Sequence, residues 1–277
     1  VEGISSDELC CRILREKPDT IFFIAGSVSW DNDRECLIRI KKKMPEIRFI
    51  GSGDLFFRRE VFMENPWIDA VTYDFTSPEI LLYVRGTESL LTTVAYRKNG
   101  EIVWPQTKVN VSRQFLVSIP RHDLFLHLPY SFPFVRHFPF TTVLTDYGCS
   151  YTCSFCVYNK IGYKERSIEN VEEELRYIEK LGIREIFFKD QTFGNTPERI
   201  KALSLLLETF ETRFSWTAFM RVDLVTEELL MRMKRAGCHT LIFGVESSNE
   251  SLLECYSKGF YPDQVLKGCR IPASQSP

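Results

Sequence analysis

Cys149, Cys153 and Cys156 fall in one short run, Cys149-Ser-Tyr-Thr-Cys153-Ser-Phe-Cys156, with the spacing C-x3-C-x2-C. Three thiolates this close can hold three irons of a [4Fe-4S] cluster and leave the fourth iron without a protein ligand. A cluster that only carries electrons normally closes all four positions with cysteine. An open position marks a metal that does chemistry, as it does at catalytic zinc. The next cysteine along the chain is Cys238, well outside the run. Two other readings stand beside this one. A structural zinc site would complete the triplet with a distant Cys or His, although such sites usually pair their ligands in C-x2-C modules. A disulfide framework fits less well, since the nine cysteines are an odd number spread over 277 residues.

The elements around the run have the pattern needed to position it. Thr141–Thr145 reads as a strand that delivers Asp146-Tyr-Gly148 and then the cysteines. A helix over 167–181 follows, with apolar Val171, Leu175, Ile178 and Leu181 at helical spacing and a Gly182 stop. Strands over 184–189, 215–220 and 240–243 alternate with helices over 197–211 and 226–236, giving four consecutive βα units. Polar residues recur just past the strand ends: the cysteines, Asp190, Arg221 and Glu246. In a β/α barrel those ends form the active-site face.

The first part of the chain has the same alternation. Strands are expected at 20–25, 48–50 and 68–73, and helices at 33–43, 56–64 and from Pro78. Gly51-Ser-Gly53 follows the second strand, where ligands of open parallel sheets sit. Small residues there let a ligand approach the backbone, or simply make a tight loop. Asn99-Gly100 between apolar runs signals a hairpin. Residues 105–139 are irregular and rich in Pro and aromatics, a packed connector. The expected organisation is an α/β domain over 1–93, a hairpin and connector over 94–138, and a second α/β domain over 139–277.

Composition narrows the function classes. A formal net charge of -2 gives no reason to expect a nucleic-acid partner. Apolar runs reach only about seven residues, too short for a bilayer span. Free cysteines without a recognisable targeting segment are expected of a cytoplasmic protein. The four histidines, His122, His127, His137 and His239, show no metal-ligand spacing.

Cys149, Cys153 and Cys156, with Phe155 just before the last of them, resemble the signature of the radical S-adenosylmethionine (radical SAM) superfamily. The likeness extends along most of the chain to the branch with an N-terminal cobalamin-binding domain, which includes cobalamin-dependent methylases and the anaerobic cyclase of magnesium-protoporphyrin monomethyl ester. Residues 17–53 look like the middle of that domain. Asn99-Gly100-Glu-Ile and Ile119-Pro-Arg-His-Asp123 look like its connector, and Arg221-Val-Asp223, Met233 to Cys238 and Gly244-Val-Glu246-Ser247 look like later strands of the catalytic core.

The resemblance implies a partial Rossmann-like (flavodoxin-like) domain followed by a partial (β/α) radical SAM barrel. It implies a [4Fe-4S] cluster held by the three cysteines, S-adenosylmethionine on the open iron, and cobalamin as a further cofactor. Phe155 would lie near the adenine. Asp190, Arg221 and Glu246 would contact S-adenosylmethionine, since carboxylates suit its ribose and ammonium and a guanidinium suits its carboxylate; ion pairing among strand-end charges is the alternative. Gly51 and Gly53 would lie by the corrin tail. A small-molecule substrate and a reductant such as flavodoxin or ferredoxin are the implied partners.

The family's Asp-x-His-x-x-Gly cobalt-ligating loop does not occur here, and Tyr73-Asp74 stands where Gly-Glu is usual. Both ends of the pattern look short, so the chain is expected to be a fragment. The expected function is radical-based methyl transfer to an unactivated carbon. The alternatives are a cobalamin-independent cyclase or rearrangement enzyme, or a non-catalytic iron-sulfur or metal-binding module.

Overall fold

The computed structural model describes residues 4–88, 91–105 and 113–274. The chain divides into two compact units, residues 2–111 and 112–277.

The unit of residues 2–111 is a mixed sheet with helices. α1 (Ser6–Glu16) starts at Ser5, whose side chain accepts from the Glu8 N–H. β1 (Thr20–Ile24), α2 (Trp30–Lys43) and β2 (Arg48–Ser52) follow, then a 3-10 turn at Asp54–Phe57, α3 (Arg59–Met63), β3 (Ala70–Thr72) and α4 (Glu79–Val84). β4 (Val94–Lys98) and β5 (Glu101–Val103) form the expected hairpin, with φ of 52° at Asn99 and 84° at Gly100. The order is β1-β2-β3-β4-β5, parallel through β3 and antiparallel beyond it. The hairpin is therefore the end of this sheet, joined to it through β3. The single helix expected over 56–64 is broken at Arg58 (φ -85°, ψ 105°). The break lets both Leu55 and Phe56 turn into the core.

In the second unit, β6 (Gln114–Phe115), β8 (Asp146–Gly148) and β9 (Tyr163–Arg166) make a small sheet of order β6-β9-β8 that the sequence pattern did not announce. β8 and β9 are antiparallel and enclose the cysteine loop. The main sheet has β7 (Phe140–Val143), β10 (Glu185–Phe188), β11 (Ser215–Met220) and β12 (Cys238–Phe243) in the order β12-β11-β10-β7, all parallel. Among the described residues these strands form an open arc of βα units.

α5 (Ile168–Lys180), α6 (Pro197–Glu208) and α7 (Glu227–Arg235) each begin at a hydroxyl cap, Ser167, Thr196 and Thr226. Their apolar faces pack against Ile186, Phe188, Trp216, Ala218 and Met220 in the largest core cluster of the unit. α8 (Glu250–Cys255) and α9 (Pro262–Ser274) complete the chain. No described helix is long and apolar enough to cross a membrane.

Candidate functional site

A cavity of about 210 Å3 opens at the carboxyl ends of β11 and β12. Cys149, Cys153, Cys156 and Phe155 line it together with Arg221, Glu246 and Lys258. All three cysteines are free thiols. Burial pushes the Cys149 thiol above its ordinary range and the charges of Cys156 and Cys153 add to this, while the Tyr151 backbone N–H and Arg221 oppose it. The donor set fits a cluster in its chemistry: three soft sulfur ligands line one cavity, and among the described residues no fourth thiol lines it. Among the described residues no three His, Cys, Asp or Glu side chains are grouped to hold a single metal ion.

The cysteine loop is held at several points. Gly148, at φ 80°, lies against the Gly162 carbonyl so closely that a Cβ would stand 1.6 Å from that oxygen. β8 and β9 can therefore meet there only if this residue is glycine. Ser150 Oγ bonds Asn195 Oδ1 at 2.9 Å, and Tyr151 Oη donates to the Asn195 carbonyl at 3.3 Å. The Ser154 N–H donates to the Tyr256 carbonyl at 2.9 Å, and its hydroxyl to the Cys255 carbonyl at 3.0 Å. Phe155 is 57% exposed and meets Tyr256 edge-on at 5.5 Å.

The charged residues opposite the thiols are fixed to different degrees. Arg221 is buried and bidentate on Asp223, with both N–O distances 2.9 Å. It also donates to the Lys258 carbonyl at 2.7 Å and lies 3.7 Å above the Tyr151 ring. Lys258 is only 5% exposed, and its ammonium sits 3.5 Å from Glu246 Oε1 and within 6 Å of the Phe155 and Phe260 rings. Glu246 has φ 69°, a left-handed backbone that costs a non-glycine residue about 1 kcal/mol or more. A lone ion pair at 3.5 Å is a loose partner for a buried ammonium, so Lys258 retains capacity for an anion.

Asp190 does not line the cavity. Its fully buried carboxylate accepts from the Thr145 N–H at 2.6 Å, Thr145 Oγ1 at 2.8 Å and the Asp146 N–H at 3.0 Å. Burial raises its pKa to about 6 against these stabilising bonds. It pins the exit of β7 to the exit of β10 and so sets the direction in which the chain enters the cysteine loop. Gly51 and Gly53 lie in the other unit and close on their own chain. A Cβ on Gly51 would meet the Phe56 ring at 2.6 Å, and one on Gly53, at φ 119°, would meet the Ala25 carbonyl oxygen at 2.2 Å.

Two residues escaped the sequence reading. Lys258 stands past the end of α8, where no strand-end rule points; its only signal is a cation set between Tyr256 and Phe260. Asp146 is buried with neither carboxylate oxygen hydrogen-bonded. Burial and then the neighbouring Asp190 charge hold its pKa well above the ordinary carboxylate value, with Arg199 opposing. Of the histidines, His122 bonds Glu174 at 2.8 Å and His239 bonds Glu185 at 2.8 Å, both in buried structural pairs.

A parallel βα arc with three free thiols and a charged cluster at its carboxyl edge defines an α/β protein whose cysteine loop faces an open cavity. Residues 143–271 match the Radical SAM superfamily, so this stretch is a radical SAM domain. An uncharacterized methyltransferase of Pyrococcus horikoshii is 30% identical over 281 residues, covering 96% of this chain and 61% of the relative. Two solved structures share the fold. The cobalamin-dependent S-adenosylmethionine radical enzyme OxsB, with aqua-cobalamin and S-adenosylmethionine bound, gives a TM-score of 0.72 at 20% identity over 97% of this chain and 41% of its own. The radical S-adenosylmethionine methyltransferase TsrM of Kitasatospora setae gives 0.71 at 16% identity, over 96% and 57%. The chain thus spans about three fifths, or less, of the length of these relatives.

Proposed function

We propose that the protein is a radical SAM methyltransferase and that this chain carries its cluster loop and much of its S-adenosylmethionine site. The supporting observation is the cavity in which Cys149, Cys153 and Cys156 face Arg221, Glu246 and Lys258. When bound, the reduced cluster supplies the electron that cleaves S-adenosylmethionine to methionine and a 5′-deoxyadenosyl radical. The three cysteines would each hold an iron.

Glu246 and Lys258 are matched to the amino-acid end of the ligand, which carries one positive and one negative group. Those groups can exchange into the loose ion pair, ammonium toward Glu246 and carboxylate toward Lys258. Arg221 spends Nε and Nη2 on Asp223 and the Lys258 carbonyl and so positions the Lys258 peptide, while it also lines the cavity. Phe155, exposed at the rim, offers a ring face to the adenine. Asp190 sets the loop rather than touching the ligand. A small-molecule substrate and a low-potential protein reductant complete the reading.

The methyl-transfer assignment rests on the relatives' names, and so does cobalamin as the methyl carrier. Residues 1–111 contain no histidine. The space beside Gly51 and Gly53 is taken by Phe56 and Ala25. Among its described residues this unit therefore offers cobalt no imidazole and the corrin no glycine cradle.

The test is anaerobic reconstitution with iron and sulfide, followed by EPR of the reduced protein with and without S-adenosylmethionine. A [4Fe-4S]+ signal that changes on addition is expected, and in Lys258→Met the change should need about ten-fold more S-adenosylmethionine. A cluster indifferent to it, or zinc in place of iron, would overturn the reading.

A further inference from the structure

Cys10 of α1 and Cys36 of α2 face each other in the unit of residues 2–111. Both are free thiols, and their Sγ atoms lie 3.7 Å apart. Each residue is 5% exposed, and the two pack with Leu37, Ile40 and Phe49 in one apolar cluster that holds the helices together. A disulfide places its sulfurs about 2.05 Å apart, so closing this pair asks for less than about 2 Å of movement.

The two thiols have different surroundings. Arg39 Nη2 donates to Cys10 Sγ at 3.4 Å and to Asp7 Oδ1 at 2.7 Å. A guanidinium at that place favours negative charge on the Cys10 sulfur, and the thiolate is the form that reacts with oxidants. Cys36 Sγ has the Ser6 carbonyl at 3.8 Å to donate to. Burial, and then the bond to Cys10, push the Cys36 thiol up to about 11, so it keeps its proton. A buried thiol among apolar neighbours alone is inert. Cys10 instead has a cation and a second sulfur beside it, and the side chain of Arg39 is 47% exposed, which brings solvent within one side chain of the pair.

We propose that Cys10 and Cys36 are an oxidative modification site, which hydrogen peroxide closes to a disulfide joining α1 to α2. The Cys10 thiolate attacks one peroxide oxygen, the O–O bond breaks, and hydroxide leaves with Cys10 as a sulfenic acid. The Cys36 sulfur then attacks the Cys10 sulfur. The S–O bond breaks and its oxygen leaves as water, taking the Cys36 proton. The thiols lose two electrons in all, and the peroxide ends as one water and one hydroxide. Burial of both sulfurs suits an oxidant this small. The step needs neither iron nor S-adenosylmethionine, so it stands apart from the function proposed above.

The test treats the full chain, before any iron is added, with an equimolar amount of hydrogen peroxide. Differential alkylation and peptide mass spectrometry then map the cysteines. A linked Cys10–Cys36 peptide that dithiothreitol reverses is expected. In Cys36→Ser the link should be lost, with Cys10 trapped by dimedone as the sulfenic acid. In Arg39→Gln the link should form about ten-fold more slowly. Urea unfolding followed by tryptophan fluorescence should move to higher urea when the parent is oxidised, and should not move in Cys36→Ser. Recovery of both thiols in reduced form while the exposed Cys11, Cys255 and Cys269 are oxidised would overturn the proposal. So would pairing of Cys10 or Cys36 with any other cysteine. An unchanged rate in Arg39→Gln would overturn the part given to Arg39.

Discussion

The two units use the same βα alternation and treat their strand ends differently. In the unit of residues 112–277 the carboxyl edge gathers three thiols, an anchored guanidinium, a buried ammonium and a carboxylate on a strained backbone. In the unit of residues 2–111 the corresponding edge carries Gly51, Ser52 and Gly53. Ser52 Oγ donates to the Thr72 carbonyl at 3.2 Å, and the two glycines are closed by Phe56 and Ala25. Phe23, Trp30 and Trp67 stack near it in mutual contact at 6.2 to 6.5 Å. A parallel sheet supplies the place for a ligand; what the loops bring there decides whether chemistry follows.

The sharpest way to break this comparison is to remove a thiol. Cys149→Ser should abolish cluster assembly, read as iron content and visible absorbance after reconstitution, while far-UV circular dichroism stays unchanged. A retained cluster would mean that the loop is not the iron site.

Gly53→Ala asks whether the first unit's glycines serve packing. With φ 119° and a Cβ position 2.2 Å from the Ala25 oxygen, the substitution should cost about 2–3 kcal/mol. Urea unfolding followed by tryptophan fluorescence reads it, since Trp30, Trp67 and Trp104 all lie in this unit. Cluster assembly should be unaffected.

The buried acids give a pH test. Burial raises the pKa of Asp146 and that of Asp190, the latter to about 6. The folded state then holds protons that the unfolded chain has released, so stability is present at low pH and declines as pH rises through the folded values. Asp146→Asn cannot ionise. Its urea midpoint should fall less than that of the parent as pH rises above the ordinary carboxylate range, since only Asp190 of the two is left to lose its proton. An identical slope would show that Asp146 does not titrate there.

The smallest effect is at the helix caps. Ser167→Ala and Ser5→Ala each remove an accepting hydroxyl from a first turn and should each cost about 1 kcal/mol in the unfolding of their own unit. A cap loss confined to one unit would show that the two unfold independently.

Much of this molecule could be read from the chain alone, because strands and helices carry local patterns. The β11 segment, the helices around Val171 and Leu229, the Asn99-Gly100 hairpin and the cysteine run all follow from spacing and composition. Asp190, Arg221 and Glu246 were found by the same rule, as polar residues after strands. The rule could not tell which of them lines the cavity. Asp190 turns inward to bind the Thr145 and Asp146 amides, whereas Arg221, held by Asp223, and the half-exposed Glu246 both line it.

Lys258 became visible only in three dimensions, brought to the site by the chain after α8. The sequence determined the elements and the cysteine run, since those depend on neighbours along the chain. Tertiary structure decided which charges remain unpaired, because pairing depends on partners that distant segments supply.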